Sequence, residues 1–194
     1  MRPQHQVASL SGALALFFAG SSFVTADALD SWTDAGSPFP TGASKLAYGN
    51  GLYVGVGNVY VVISQDGSNW TSYASHPAVN WRAICFGAGE FYAVGDPLPG
   101  NTNWDESVIA RSKDGLVWTP LFETPSLLSD IATGNDRIVA VGDTMVSGNV
   151  PGANWSEHGT VDYPFKALAY GLGRFVAVGG DYNSTGETDR GWLL

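Results

Sequence analysis

Four stretches of the chain share one pattern of apolar and polar positions: a short apolar run, a glycine-centred break, and a second apolar run. They are Leu46–Gly57, Ile84–Gly95, Ile131–Gly142 and Leu168–Gly179. Each predicts a strand, a tight Gly-x-Gly turn and a returning strand, with the turn glycines supplying positive φ at no steric cost. The third copy puts Asp136 where the others carry Gly51, Gly89 and Gly173, and Asp tolerates that conformation better than most residues. The first glycines fall at positions 49, 87, 134 and 171, a period of about 40 residues with one insertion, the size of one four-stranded blade. Small residues recur at matching positions: Ala47, Cys85, Ala132 and Ala169 in the first run, Gly55, Ala93, Ala140 and Ala177 in the second. These runs are therefore expected to be inner strands, where neighbouring blades crowd together.

A polar turn follows each of the first two pairs of runs: Ser64-Gln65-Asp66-Gly67-Ser68-Asn69-Trp70 and Ser112-Lys113-Asp114-Gly115-Leu116-Val117-Trp118. A decayed copy ends in Gly152-Ala153-Asn154-Trp155. The carboxylate can accept backbone N–H groups, Ser adds a hydroxyl, Gly permits the reversal, and Trp packs in the sheet. The expected fold is all-β, built of propeller blades of four antiparallel strands. Blades are expected at about 44–72, 82–120 and 129–157, a partial blade at 166–194, and an orphan outer strand near 30–34 around Trp32. About four blades sit at the lower limit for closing a ring. The expectation is a partial, truncated propeller whose open blade edges favour self-association.

The polar turn resembles the Asp-box of the bacterial-neuraminidase-repeat propellers, the sialidase-like superfamily, in a short Ser-x-Asp-Gly-x-x-Trp form. The resemblance runs from about Trp32 to the end of the chain. It implies that Ser64, Asp66, Gly67, Trp70, Ser112, Asp114, Gly115 and Trp118 build blades rather than catalyse. It also brings in sialidases, whose chemistry needs an arginine cluster and a Tyr–Glu pair. That set cannot be assembled here: Arg137 and Arg174 belong to the wrong turns, and Arg111 precedes a box.

Composition narrows the partners. The 194 residues carry nine Lys+Arg against 18 Asp+Glu, a formal charge of −9, with no basic run. Nucleic acid and anionic membrane surfaces both need clustered cations and are excluded as partners. Residues 1–26 read as a signal peptide: Arg2 and His5 precede an apolar stretch, and small residues follow near Ala26. The mature protein is thus expected to be secreted or otherwise extracytoplasmic, in the periplasm or at the cell surface, with no stable membrane span. Cys85 is the single cysteine, so no internal disulfide forms and packing must supply the stability. It reads as a small buried hydrophobe.

The candidate binding residues lie where the repeat is broken. Two long second-to-third-strand loops, 96–106 and 180–191, carry Trp104, Asp105, Asp181 and Tyr182, and Arg82 starts a first strand on the same face beside Lys45, Asp130 and Lys166. Aromatic and carboxylate groups together suit a sugar. No catalytic residue is assigned. His76 and His158 are expected in fourth-to-first loops without ligand partners, so no metal and no cofactor is expected. The sequence reads best as an exported binding or assembly scaffold for a glycan, peptide or protein. The alternative is a fragment of a sialidase-like carbohydrate-active hydrolase whose catalytic residues lie outside this chain.

Overall fold

The computed structural model describes residue 43 and residues 45–75, 78–98, 107–161 and 163–180; the signal segment, Trp32 and most of both long loops lie outside the described residues. The described part is all-β. Fourteen strands form four antiparallel sheets. The first contains β1 (Lys45–Gly49), β2 (Leu52–Gly57), β3 (Tyr60–Ser64) and β4 (Thr71–Ala74), paired in that order. The second contains β5 (Val79–Gly87), β6 (Glu90–Pro97), β7 (Ser107–Ser112) and β8 (Thr119–Thr124). The third contains β9 (Leu128–Gly134), β10 (Arg137–Gly142), β11 (Thr144–Asn149) and β12 (Ala153–Thr160), and β13 (Phe165–Gly171) pairs with β14 (Arg174–Gly179). Each sheet is a simple meander, a blade in which consecutive strands are neighbours.

The hairpin turns are two-residue turns with positive φ at both positions: Asn50 and Gly51, Ala88 and Gly89, Asn135 and Asp136, Leu172 and Gly173. Such turns match the right-handed twist of the flanking strands. The leading glycine of each Gly-x-Gly is not one of these residues, contrary to the expectation from sequence. It is small for a different reason. A Cβ on Gly49 would fall into the Phe86 ring of the second blade, one on Gly87 into Thr133 of the third, and one on Gly134 into Tyr170 of the fourth. Phe86, Thr133 and Tyr170, the residues just before Gly87, Gly134 and Gly171, are thus knobs that sit on the glycine of the preceding blade.

The second strand of a complete blade is buried on both faces, which explains its unbroken apolar run. On β6, Phe91 and Ala93 pack with Val54, Val56, Trp81 and Trp118 toward the first blade. Tyr92 and Val94 point the other way and pack with Leu128, Ile131, Ile138 and Val146 of the third. Ala132, Val139, Val141, Phe165 and Leu168 join the third blade to the fourth. The core is therefore a series of layers between successive blades.

Candidate functional site

The two intact boxes are closed by the same hydrogen bonds. In the first, the Gly67 N–H donates to Ser64 Oγ (2.9 Å), and the Ser68 and Asn69 N–H groups donate to Asp66 Oδ1 (2.8 and 2.7 Å). In the second, Gly115 N–H donates to Ser112 Oγ (2.9 Å), and Leu116 and Val117 N–H donate to Asp114 Oδ1 (2.9 and 3.0 Å). The tryptophan indole completes the motif. Trp70 Nε1–H donates to the Gly67 carbonyl (3.0 Å) and Trp118 Nε1–H to that of Gly115 (2.9 Å). The decayed copy keeps only this element, Trp155 to Gly152 at 3.2 Å. The Gly-x-x-Trp pair is thus the part of the box that survives loss of the Ser and Asp. All three glycines have positive φ, at 75°, 76° and 113°, which a side chain would strain.

These carboxylates are held ionised. The Asn69 backbone N–H, its side-chain amide and the Ser68 N–H keep the Asp66 carboxyl below the usual carboxylate range. Partial burial pushes the Asp114 carboxyl up, but the N–H groups of Val117 and Leu116 and the Ser112 hydroxyl outweigh it and leave it lowered. A carboxyl that is more acidic folded than unfolded contributes its stability above the unfolded pKa, and that stability is lost as pH falls toward the folded value. The urea midpoint of the wild type is expected to fall on acidification between about pH 5 and pH 2. Asp114→Asn should start lower at the upper end and show a shallower fall. A variant profile parallel to that of the wild type would rule out this carboxylate as a source of the acid sensitivity. Asp66 and Asp114 are both exposed, so the N–H groups they accept have water as an alternative.

Of the candidate binding residues, Trp104, Asp105, Asp181 and Tyr182 lie outside the described residues, and Arg82 lies within them. Arg82 is exposed at a bulge in β5, between Trp81 and Ala83. Its guanidinium makes a two-pronged contact with Asp96: Nη2 lies 2.6 Å from Oδ2, and Nε donates to the same oxygen at 2.7 Å. Asp96 also accepts from the Ser107 hydroxyl (3.2 Å), which in turn accepts the Leu128 N–H (3.0 Å). This chain of polar contacts joins Asp96 and Ser107, which flank residues 99–106, and ties the second blade to the start of the third. Lys45 and Asp130 also meet. Lys45 Nζ lies 3.4 Å from Asp130 Oδ2, which accepts the Leu168 N–H at 2.8 Å. Asp130 thereby joins the first, third and fourth blades, and only 5% of it is exposed. Lys166 is exposed.

Sequence reasoning singled out Arg82 and Asp130 but missed Asp96 and Ser107. Asp96 stands opposite Asn80 across β5 and β6 only because the register shifts at the bulge between Trp81 and Ala83, and no local signal in the sequence marks that shift. His158 was expected in a loop. It lies instead on β12, with a ring nitrogen 2.8 Å from Ser147 Oγ; His76 is outside the described residues. Among the described residues no three His, Cys, Asp or Glu side chains cluster as metal ligands. Burial pushes the Cys85 thiol up to about 12, which leaves it protonated and unreactive at neutral pH.

A cavity of about 490 Å³ opens between the third and fourth blades, lined by Val139, Ser147, Met145, His158, Arg137 and Phe175. Its walls have counterparts two steps earlier, between the first and second blades. Val139 pairs with Ser147 as Val54 pairs with Ile63, and Val54 and Ile63 are the side chains nearest the Gly115 box turn. These walls are a blade-packing surface.

No protein-family model and no curated protein matches the chain. Among solved structures it is similar to the computationally designed Ika4 protein, with a TM-score of 0.53 and 12% identity over 80% of this chain and 93% of that one. It is also similar to the extracellular domain of a one-component system from B. thetaiotaomicron, with a TM-score of 0.60 and 12% identity over 85% of this chain. The match spans 24% of that second protein's length. Likeness at this identity establishes the fold: an all-β protein of successive antiparallel blades. No described helix is long and apolar enough to cross a membrane.

Proposed function

We propose that the chain is an exported, propeller-type binding module whose Asp-boxes and turns are scaffold and whose long-loop face takes the ligand. The observation that carries this reading is the Arg82–Asp96–Ser107 network. It spends a cation, a carboxylate and a hydroxyl on joining the residues that flank 99–106, and rigid support under a variable loop is what a recognition surface requires. The box carboxylates, held ionised by backbone donors, are unsuited to act as proton donors, which weighs against a hydrolase built on the repeated residues.

The ligand class that fits the loops is a glycan, since each carries an aromatic residue next in sequence to a carboxylate, Trp104-Asp105 and Asp181-Tyr182; a peptide or partner protein is the other occupant of the same face. The test is a glycan array probed with the labelled chain, followed by titration calorimetry on any hit. Trp104→Ala is expected to weaken binding about tenfold or more, and Asp66→Ala to leave it unchanged. Binding that survives Trp104→Ala but is lost in Asp66→Ala would place the ligand on the opposite, box-bearing face and overturn the proposal. Release of reducing sugar from a bound glycan would favour the hydrolase reading.

A further inference from the structure

Every step between successive blades uses the same pair of surfaces. The front of one blade offers an aliphatic residue and a knob: Ile84 and Phe86, Ile131 and Thr133, Leu168 and Tyr170. The back of the blade before it offers a small residue, a glycine and two apolar side chains of the second strand, Val54 and Val56, Tyr92 and Val94, or Val139 and Val141. In the first blade these are Ala47, Gly49, Val54 and Val56, with both valines at 0% exposure.

Among the described residues, two surfaces of the same design remain open. The front of the first blade has Leu46 at 53% and Tyr48 at 58% exposure, where Ile84, Ile131 and Leu168 are at 6%, 3% and 9%. On the back of the fourth blade, Ala169 and Gly171 are exposed and Val178 is 49% exposed, where its counterpart Val56 is fully buried. No described atom lies within 4 Å of a Cβ built on Gly171, whereas Gly49, Gly87 and Gly134 are each covered by a knob.

We propose that this open front seats on the open back of a second copy of the chain, head to tail, with Tyr48 of one molecule over Gly171 of the other. Continuity with the existing interfaces supports it. Tyr48 stands at the position of Phe86, Thr133 and Tyr170, and Gly171 at that of the glycines they cover, so the two surfaces are a fourth instance of a contact this chain makes three times. A second copy is the occupant because both surfaces are exposed within one chain. Such a contact is heterologous, each molecule using one surface to receive and the other to insert. Exposed apolar surface of this kind, rimmed by polar turns, favours association.

The inference is independent of any ligand, and its test uses none. Sedimentation velocity of the purified chain across a concentration series is expected to show reversible association. Tyr48→Glu removes the knob at an exposed site, and Gly171→Leu fills the seat where no described neighbour would be displaced. Each should weaken association at least about tenfold while retaining the wild-type circular dichroism spectrum. The decisive measurement mixes the two variants. The Tyr48→Glu molecule still has its glycine seat and the Gly171→Leu molecule still has its knob, so an equimolar mixture should associate where each alone is dispersed. A wild type that stays monomeric at all concentrations overturns the proposal, since the surfaces would then be covered within one chain. So does a mixture as dispersed as its components, or association indifferent to both substitutions.

Discussion

Trp118→Ala is expected to cost about 3–5 kcal/mol of unfolding free energy, and Trp70→Ala, at the same position of the preceding box, less than half of that. The two residues have the same motif and the same indole bond to a glycine carbonyl, yet their surroundings differ. Trp118 is 4% exposed and its ring lies 4.9 Å from that of Trp81, itself 1% exposed. Trp81 in turn donates its indole N–H to Ser75 Oγ of the first blade at 2.7 Å. Truncating Trp118 therefore opens a cavity at the junction of two blades and leaves the buried Gly115 turn without its indole bond. Trp70 is half-buried, and its ring lies 6.3 Å from that of Tyr53. Its box belongs to the first blade, which has no described blade in front of it. Urea unfolding of the two variants reads the contrast directly. Equal losses would mean that the box itself, rather than its burial between blades, sets the stability.

The strands were legible because their signals are local. A two-residue turn, a period of two and a polar box are each complete within a few residues, and four copies in register exclude coincidence. What the copies could not reveal was set by neighbours distant in sequence. Gly49 reads as a turn glycine until Phe86 is found lying on it, 37 positions later. Arg82 reads as a candidate binding residue until the structure shows it paired with Asp96 at the bulge in β5. His158 was placed in a loop because the third box has decayed, and without it nothing local marked that β12 continues through Thr160. The long-loop residues Trp104, Asp105, Asp181 and Tyr182 were found by the opposite logic, as departures from the repeat. That logic identifies candidates but gives no geometry.

The glycines that end the apolar run of each second strand provide the sharpest test of the blade-crowding argument, and Gly142→Ala should destabilise the protein by about 3 kcal/mol. Gly142 is buried, and a Cβ there would meet the Leu127 carbonyl oxygen and lie 2.7 Å from the Leu128 Cα. Gly95 is in the same position, with its Cβ site 2.6 Å from the Asn80 carbonyl and 2.8 Å from the Trp81 Cα. In both cases the obstacle is backbone at an irregularity of the first strand, so no rotamer change relieves it. The chain would have to separate β9 from β10, and Asp143 N–H would risk its 2.8 Å bond to the Leu127 carbonyl. Gly134→Ala should cost less, because the obstacle there is the Tyr170 side chain, which can swing outward. Gly171→Ala meets nothing described and lies outside the positive-φ region. In dilute solution it should be neutral or stabilising by up to about 1 kcal/mol, since alanine lowers the entropy of the unfolded chain. The expected order of stability is therefore Gly171→Ala, then Gly134→Ala, then Gly142→Ala, read from urea midpoints at one protein concentration. If Gly142→Ala proved as benign as Gly171→Ala, close backbone approach could not be the reason these apolar runs end in glycine.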